Sequence, residues 1–221
     1  MKDNEPGLRN GIYSYREAAN ILCVAPQRVS RWADGYTFPR KHGVGESRPV
    51  LQTSRQYRIL TFLELWELMF VKQYIALGVK LPQIRGTAEA LAKEVGEYPF
   101  SRSDILVHGR QLLTKTADGF LKRADIGQLV ADYAEKLVPH IELRQETVGR
   151  YNIPEFKKVV YLDKDRRGGE PVVSERAIPT RLVYSMWEQE EDIKSVAEYY
   201  DLPEAQISAA IRYEGLWRLA A

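Results

Sequence analysis

Cysteine is almost missing: Cys23 is the single one in 221 residues. The chain can therefore close no disulfide within itself and build no thiolate zinc site. Clean hydrophobic runs are missing too. The apolar stretch from Leu60 to Val79 is interrupted by Glu64, Glu67, Lys72 and Gln73, which argues against a membrane span. The opening MKDNEPG has no apolar centre and does not read as a signal peptide. A reducing cytoplasm is the expected location, without a membrane partner. Histidine is sparse. His108 and His140 lie far apart and have no neighbouring set of ligand residues, so they read as structural, while His42 reads as a phosphate neighbour. Neither a Walker loop nor a nucleophile elbow is present. Gly168-Gly169 reads as a plain turn. The paired acids Glu190-Glu191 read as a favourable start to a helix over Glu191–Tyr200, not as acid–base machinery. The expectation is a chain with no enzymatic activity, no metal and no cofactor.

What is present is a 44% hydrophobic composition, which is enough for a core, and an uneven spread of charge behind a net +2. Between Pro26 and Leu60 the charged residues are Arg28, Arg31, Arg40, Lys41, Arg48, Arg55 and Arg58 against Asp34 and Glu46. From Glu188 onward the acids dominate, with only Lys194, Arg212 and Arg218 opposing them. A basic front and an acidic back imply different partners.

The segment SYREAANILCVAPQRVSRWADG, Ser14 to Gly35, predicts two short helices around a turn. Ser14 and Glu17 form a capping box, Pro26 suits a first helical position, and Gly35 suits a stop. Val29 and Trp32 face inward, leaving Gln27, Arg28, Ser30 and Arg31 on the polar face. A packed helical pair with a solvated face is the plainer reading. The segment Tyr36 to Arg58 shifts the balance, because Pro39, Gly43, Gly45 and Pro49 among basic residues predict a loop or small β-wing. Helix pair plus basic wing favours DNA binding. The candidate DNA-contacting residues are Ser14, Tyr15, Gln27, Arg28, Ser30, Arg31, Arg40, Lys41 and Arg48.

Thr61 and Glu64 form a second capping box, opening a helix expected to end at Gly78. It is apolar nearly all round, so it must be the hub of a core or part of a dimer contact. Pro82 starts another helix, closed by Gly96. From Ile12 to Val95 this order, with LTFLELWELMFVKQYIALGVKLPQIRG, resembles the N-terminal region of MerR-like regulators. Further on, DILVHGRQLLTKTADGFLKR alternates around a turn and predicts a hairpin, and DIGQLVADYAEKLVPHIEL predicts an amphipathic helix disturbed near Pro139.

In the last third, Val159, Val160 and Leu162 mark a strand and Val172-Val173 a second. Helices follow from Pro179-Thr180, over Glu191–Tyr200, and after the Asp201-Leu202-Pro203 turn. The last two form a second helix-turn-helix by shape, with Glu204, Gln206 and Ser208 where a DNA reader would place basic groups. Leu162-Asp163, Gly169-Glu170-Pro171, Ala177-Ile178-Pro179-Thr180 and Ala209-Ala210-Ile211-Arg212-Tyr213-Glu214 resemble the family of domain of unknown function 433. A MerR-like front joined to such a tail resembles VapB-type antitoxins. That resemblance implies neutralisation of a PIN-like ribonuclease toxin and repression of the antitoxin's own operon.

The fold expected is mainly α with short β elements. It divides into a winged helix-turn-helix domain (1–97), a connecting hairpin and helix (98–154), and a partner-binding domain with a short β-hairpin (155–221). The partners expected are duplex operator DNA, bound as a homodimer, and the toxin. Trp187, Tyr199, Tyr213 and Trp217 are the aromatics proposed to meet the toxin, Trp187 at a helix terminus and Trp217 beyond the last helix. The alternative is a stand-alone MerR-like regulator that senses a small molecule.

Overall fold

The computed structural model describes residues 11–53, 57–102, 136 and 138–218, the side chains of residues 217 and 218 excepted. Among them are seven α-helices and nine β-strands, which make a mixed α/β chain. They fall into two compact units, one built on residues 13–102 and the other on residues 149–218. None of the described helices is long and apolar enough to cross a membrane. The hairpin expected over 104–123 and most of the helix expected over 125–143 lie outside the described residues.

The first unit opens with β1 (Ile12–Ser14), α1 (Tyr15–Leu22) and α2 (Pro26–Asp34). Ser14 begins α1 as a full capping box. Its hydroxyl accepts the Glu17 N–H at 3.2 Å, while the Glu17 carboxylate accepts the Ser14 N–H at 2.7 Å. Cys23 ends α1 in the left-handed region (φ 49°), and Pro26 starts α2 where no N–H is needed. Ala18, Ala19 and Leu22 pack inward from α1, and Val29, Trp32 and Ala33 from α2. Gly35 (φ +75°) then turns the chain into β2 (Tyr36–Arg40), which pairs with β3 (Gly43–Ser47) as an antiparallel hairpin. A Cβ at Gly35 would sit 2.4 Å from the Ser47 carbonyl oxygen, so the close return of β3 requires glycine there.

β4 (Ile59–Thr61) pairs with β1 and leads into α3 (Phe62–Ala76), followed by α4 (Leu81–Val95). Of the two roles open to so apolar a helix, α3 is the hub. Phe62, Leu65, Trp66, Leu68, Phe70, Val71 and Tyr74 are all buried. Phe70 stacks on Phe100 at 5.7 Å, and Tyr74 meets the same ring edge-on at 5.6 Å. α3 also takes two carboxylates inside. Glu64 accepts the Thr61 N–H and the Thr53 hydroxyl. Glu67 accepts the Ser101 hydroxyl at 2.7 Å. Burial pushes the Glu67 carboxyl up to about 8, against the opposing pull of hydrogen bonds from Ser101 and Phe100.

The residues after Pro139 carry more strand than a short hairpin. β5 (Ile141–Arg144), β6 (Thr147–Asn152), β7 (Val160–Asp163), β8 (Val172–Val173) and β9 (Ile178–Pro179) form one sheet in that order. The pairs from β6 to β9 are antiparallel. The expected β7 and β8 are present, and the additional strands flank them. Residues 141–143, expected to be helical, are strand, because Pro139 cannot continue a helix and a 3-10 turn over Val138–His140 redirects the chain.

Three helices complete the second unit: α5 (Thr180–Glu190), α6 (Ile193–Tyr200) and α7 (Glu204–Arg218). Glu190 closes α5 and Glu191 caps it at φ 52°, so this pair ends a helix instead of starting one. The start of α6 is set by Asp192, whose carboxylate accepts the Lys194 and Ser195 N–H groups. Phe156, Val160, Val173, Val183, Val196, Ile207, Ala210 and Tyr213 make the core. A loop after β7 is clamped to the β8–β9 turn. Arg166 donates to the Glu175 carbonyl, Arg167 to that of Ala177 and the Tyr161 hydroxyl to that of Ser174.

Candidate nucleic-acid interface

The outward face of α2 is polar by exclusion. Val29, Trp32 and Ala33 occupy the inward positions, so Gln27, Arg28 and Arg31 are left exposed. The α1–α2 turn holds this face in place through Val24, whose N–H reaches the Ala19 carbonyl at 3.0 Å. The hairpin follows directly and carries exposed Arg40 and Lys41. Its register pairs Tyr36 with Ser47 and Arg40 with Gly43, so Lys41 and His42 form the tip.

Two of the arginines lie over aromatic rings. Arg31 sits 5.1 Å from the centre of the Tyr36 ring and Arg40 5.1 Å from that of Phe38. Tyr36 and Phe38 are themselves 5.9 Å apart, so the four side chains form a continuous row from α2 onto the hairpin. Gly45 makes room for it. A Cβ there would lie 2.5 Å from Arg40 Nε and 2.6 Å from the Phe38 ring. A guanidinium stacked in this way keeps its N–H edge available for phosphate or a base edge and has fewer conformations to lose on binding.

Several expected contacts are committed elsewhere. The Ser14 hydroxyl is occupied as the α1 cap. Tyr15 is buried, 7% exposed, and its hydroxyl donates to Asp34, tying the start of α1 to the end of α2. It supports the face from beneath and is not a surface reader. Ser30 is half-buried and accepts a hydrogen bond from Arg58 at 2.9 Å. Arg48 is exposed but pairs with Glu89 of α4 at 3.1 Å. These two border an open cleft of about 560 Å³, shared with Gln52, Lys93 and Glu97. Arg58 is a residue the sequence reading counted as basic but did not place at the site. Its link to Ser30 spans 28 residues, and no local spacing reveals it.

The aromatics of the second unit divide. Tyr199 is 70% exposed, 5.0 Å from half-buried Tyr200. Trp187 is half-buried, packs against the core and meets Tyr184 at 5.5 Å; it stands in the last turn of α5, where its carbonyl accepts the Glu191 N–H. Tyr213 is 2% exposed and packs edge-on against Phe156 at 5.6 Å, so it is a core residue and not a surface anchor. Trp217 falls inside α7, which runs to Arg218, not beyond its end. The Trp217 side chain lies outside the described residues. The exposed acids Glu188, Glu190, Glu198 and Glu204 are carried on the same helices, and exposed Glu191 caps α5. Among the described residues, no group of three or more His, Cys, Asp or Glu side chains is placed to hold a metal.

Comparison with known proteins bears on both units. The family described as "Protein of unknown function (DUF433)" matches residues 160–213, which run from β7 to Tyr213 of α7. A protein of Mycobacterium tuberculosis (strain ATCC 25618 / H37Rv) named "Putative antitoxin VapB45" is 22% identical over 231 residues. The match covers 95% of this chain and 97% of that protein. The X-ray crystal structure of Rv2018 from Mycobacterium tuberculosis has the same fold, with a TM-score of 0.68 at 20% identity. It matches over 90% of this chain and 96% of that one. The likeness therefore runs through both units and is not confined to the DUF433 segment.

Proposed function

We propose that this chain is the antitoxin of a toxin–antitoxin pair. In this reading it neutralises a PIN-like ribonuclease through its second unit and represses its own operon through its first. The observation that carries the reading is the end-to-end similarity to a protein named as an antitoxin, at 95% and 97% coverage. The first unit acts as a MerR-like winged helix-turn-helix. Its α2 presents Gln27, Arg28 and Arg31 to base edges, and its hairpin presents Arg40 and Lys41 to phosphates. A homodimer on a two-fold operator is the arrangement such a unit favours. The second unit offers exposed acids and Tyr199, a surface of the sign that a basic, RNA-gripping groove attracts. The protein acts in the cytoplasm by binding, without a catalytic step.

Co-expression with the product of the adjacent reading frame tests the main claim. A stable complex, together with rescue of growth when that product is toxic, is the expected result. A toxic neighbour that neither co-purifies nor is silenced would overturn it. A second reading, a stand-alone regulator responding to a small molecule, draws on the open cleft beside Arg48 and Glu89. It requires duplex affinity to change with a ligand and requires no protein partner.

A further inference from the structure

Arg58 lies immediately before β4, yet its side chain returns to α2. Nη2 donates to Ser30 Oγ at 2.9 Å, and Nε lies 4.0 Å from Asp34 Oδ2. The guanidinium carbon stands 5.0 Å from the centre of the Tyr15 ring. Asp34 in turn accepts the Tyr15 hydroxyl and, at 3.4 Å, the Ser30 hydroxyl. Despite these contacts the Arg58 side chain is 72% exposed. An exposed ion pair at that distance adds little to stability. What the contacts do achieve is orientation. A guanidinium has five N–H donors; Ser30 takes one and Asp34 faces one more, so the outer edge keeps donors for an incoming anion. That edge lies beside the helix that carries Arg28 and Arg31.

We propose that Arg58 binds a backbone phosphate of duplex DNA beside α2, with Asp34 and Tyr15 as its positioning residues. The proposal rests on the DNA-binding reading of the first unit and adds to the hairpin's basic residues a contact beside Ser30 and Asp34 of α2. Phosphate contacts set the register of a reading helix without selecting sequence. Arg58 therefore governs how strongly any duplex is held, and Arg28 and Arg31 govern which one.

The test uses the full chain and two duplexes, one from the region upstream of its own reading frame and one of scrambled sequence, each titrated over a range of salt. Arg58→Ala is expected to weaken both duplexes alike, by about tenfold, and to flatten the slope of log affinity against log salt by about one. Arg58→Lys keeps the charge, so the slope is retained while only part of the affinity returns. Arg58→Gln, which can still donate to Ser30, is expected to match Arg58→Ala in slope. Tyr15→Phe leaves the charge in place but loosens Asp34, giving a smaller loss at unchanged slope. A slope unchanged by Arg58→Ala or Arg58→Gln overturns the proposal and leaves Arg58 a strap on α2. If Arg28→Ala with Arg31→Ala still abolishes preference for the upstream duplex, the DNA-binding reading survives that result. Failure of the unaltered chain to bind either duplex overturns both.

Discussion

α1–α2 and α6–α7 are two copies of one backbone device with opposite surfaces. Both begin at a capped residue, Ser14 in one and Asp192 in the other. Both turn at a left-handed residue, Cys23 at φ 49°, ψ 51° and Asp201 at φ 50°, ψ 54°. The following N–H, of Val24 or Leu202, reaches the carbonyl of Ala19 or Ala197 at 3.0 Å in each case. The inward residues correspond as well: Ala18 and Ala19 with Val196 and Ala197, Val29 with Ile207, Trp32 with Ala210. The outward ones do not. The exposed Gln27, Arg28 and Arg31 correspond to exposed Ala205 and to half-buried Gln206 and Ala209, and exposed Glu204 stands at the position of Pro26. Caps, a left-handed turn and small inward residues build the corner; they leave the choice of ligand to the outward positions. A second difference lies beneath the surface. Both units bury a carboxylate, but in different company: Asp163 at the end of β7 accepts the Asp165 N–H at 3.0 Å and lies 4.0 Å from the Arg166 guanidinium, whereas Glu67 within α3 is met by the neutral Ser101 hydroxyl.

The largest expected effect exploits that buried carboxyl. The Glu67 pKa is raised from 4.5 to about 8 in the folded chain. A group whose folded pKa is raised binds its proton more tightly when folded. Its contribution is complete below about pH 4.5 and is lost as pH rises toward 8. Stability of the first unit should therefore fall over that window, by on the order of a few kcal/mol. Glu67→Gln, neutral at every pH, should flatten the fall. Denaturation curves at several pH values check this, and an equal slope in the variant would show that Glu67 is not responsible.

Next in size are the matched core positions. Ile207→Ala should cost about 2–5 kcal/mol, and Val29→Ala less, because it deletes fewer buried carbons. Chemical denaturation measures both. A negligible loss at either site would mean that the two corners are not packed alike.

The outward positions separate the copies by function. Arg28→Ala or Arg31→Ala should each weaken the preferred duplex by about 1–3 kcal/mol if it contacts a base bidentately. In the second corner Glu204→Gln, at an exposed acid, should leave duplex affinity unchanged while weakening capture of the toxin. Fluorescence anisotropy with labelled duplex reads the first effect and a pull-down the second. A loss of duplex binding on Glu204→Gln would make the second corner a DNA reader after all.

The corners were legible because their determinants are local. Ser14 with Glu17, Thr61 with Glu64, Pro26 and Gly96 each act within one turn, so spacing along the chain carries the signal. Tyr213 was also open to inference: Ile207, Ala210 and Tyr213 follow one another at three-residue steps along a single helix face, and all three are buried. The sheet was harder. β8 and β9 contain two residues each, too few for an alternating pattern, and the pairing of β6 with β7 is decided by tertiary contact. Arg58 was hidden for the same reason, since its partners Ser30, Asp34 and Tyr15 come from residues brought near only by folding.

The smallest expected effect lies in the caps themselves, and it distinguishes two corners that are otherwise alike. Ser14→Ala removes a hydroxyl acceptor and should destabilise the first unit by about 1 kcal/mol, independently of pH, because a serine hydroxyl does not titrate in this range. Asp192 is different. Hydrogen bonds from the Ser195 hydroxyl and N–H, and then from the Lys194 N–H, hold its carboxyl below the usual carboxylate range. A depressed folded pKa means that the contribution is complete above the unfolded value of about 3.9 and is lost as pH falls through the folded value. Asp192→Ala should therefore lower the melting temperature of the chain at neutral pH and make little difference in strong acid. Asp192→Ser should restore a cap that no longer depends on acid. Melting curves of the three variants at neutral and low pH check this, and a pH-independent loss in Asp192→Ala would show that the charge of the cap contributes nothing beyond its hydrogen bonds.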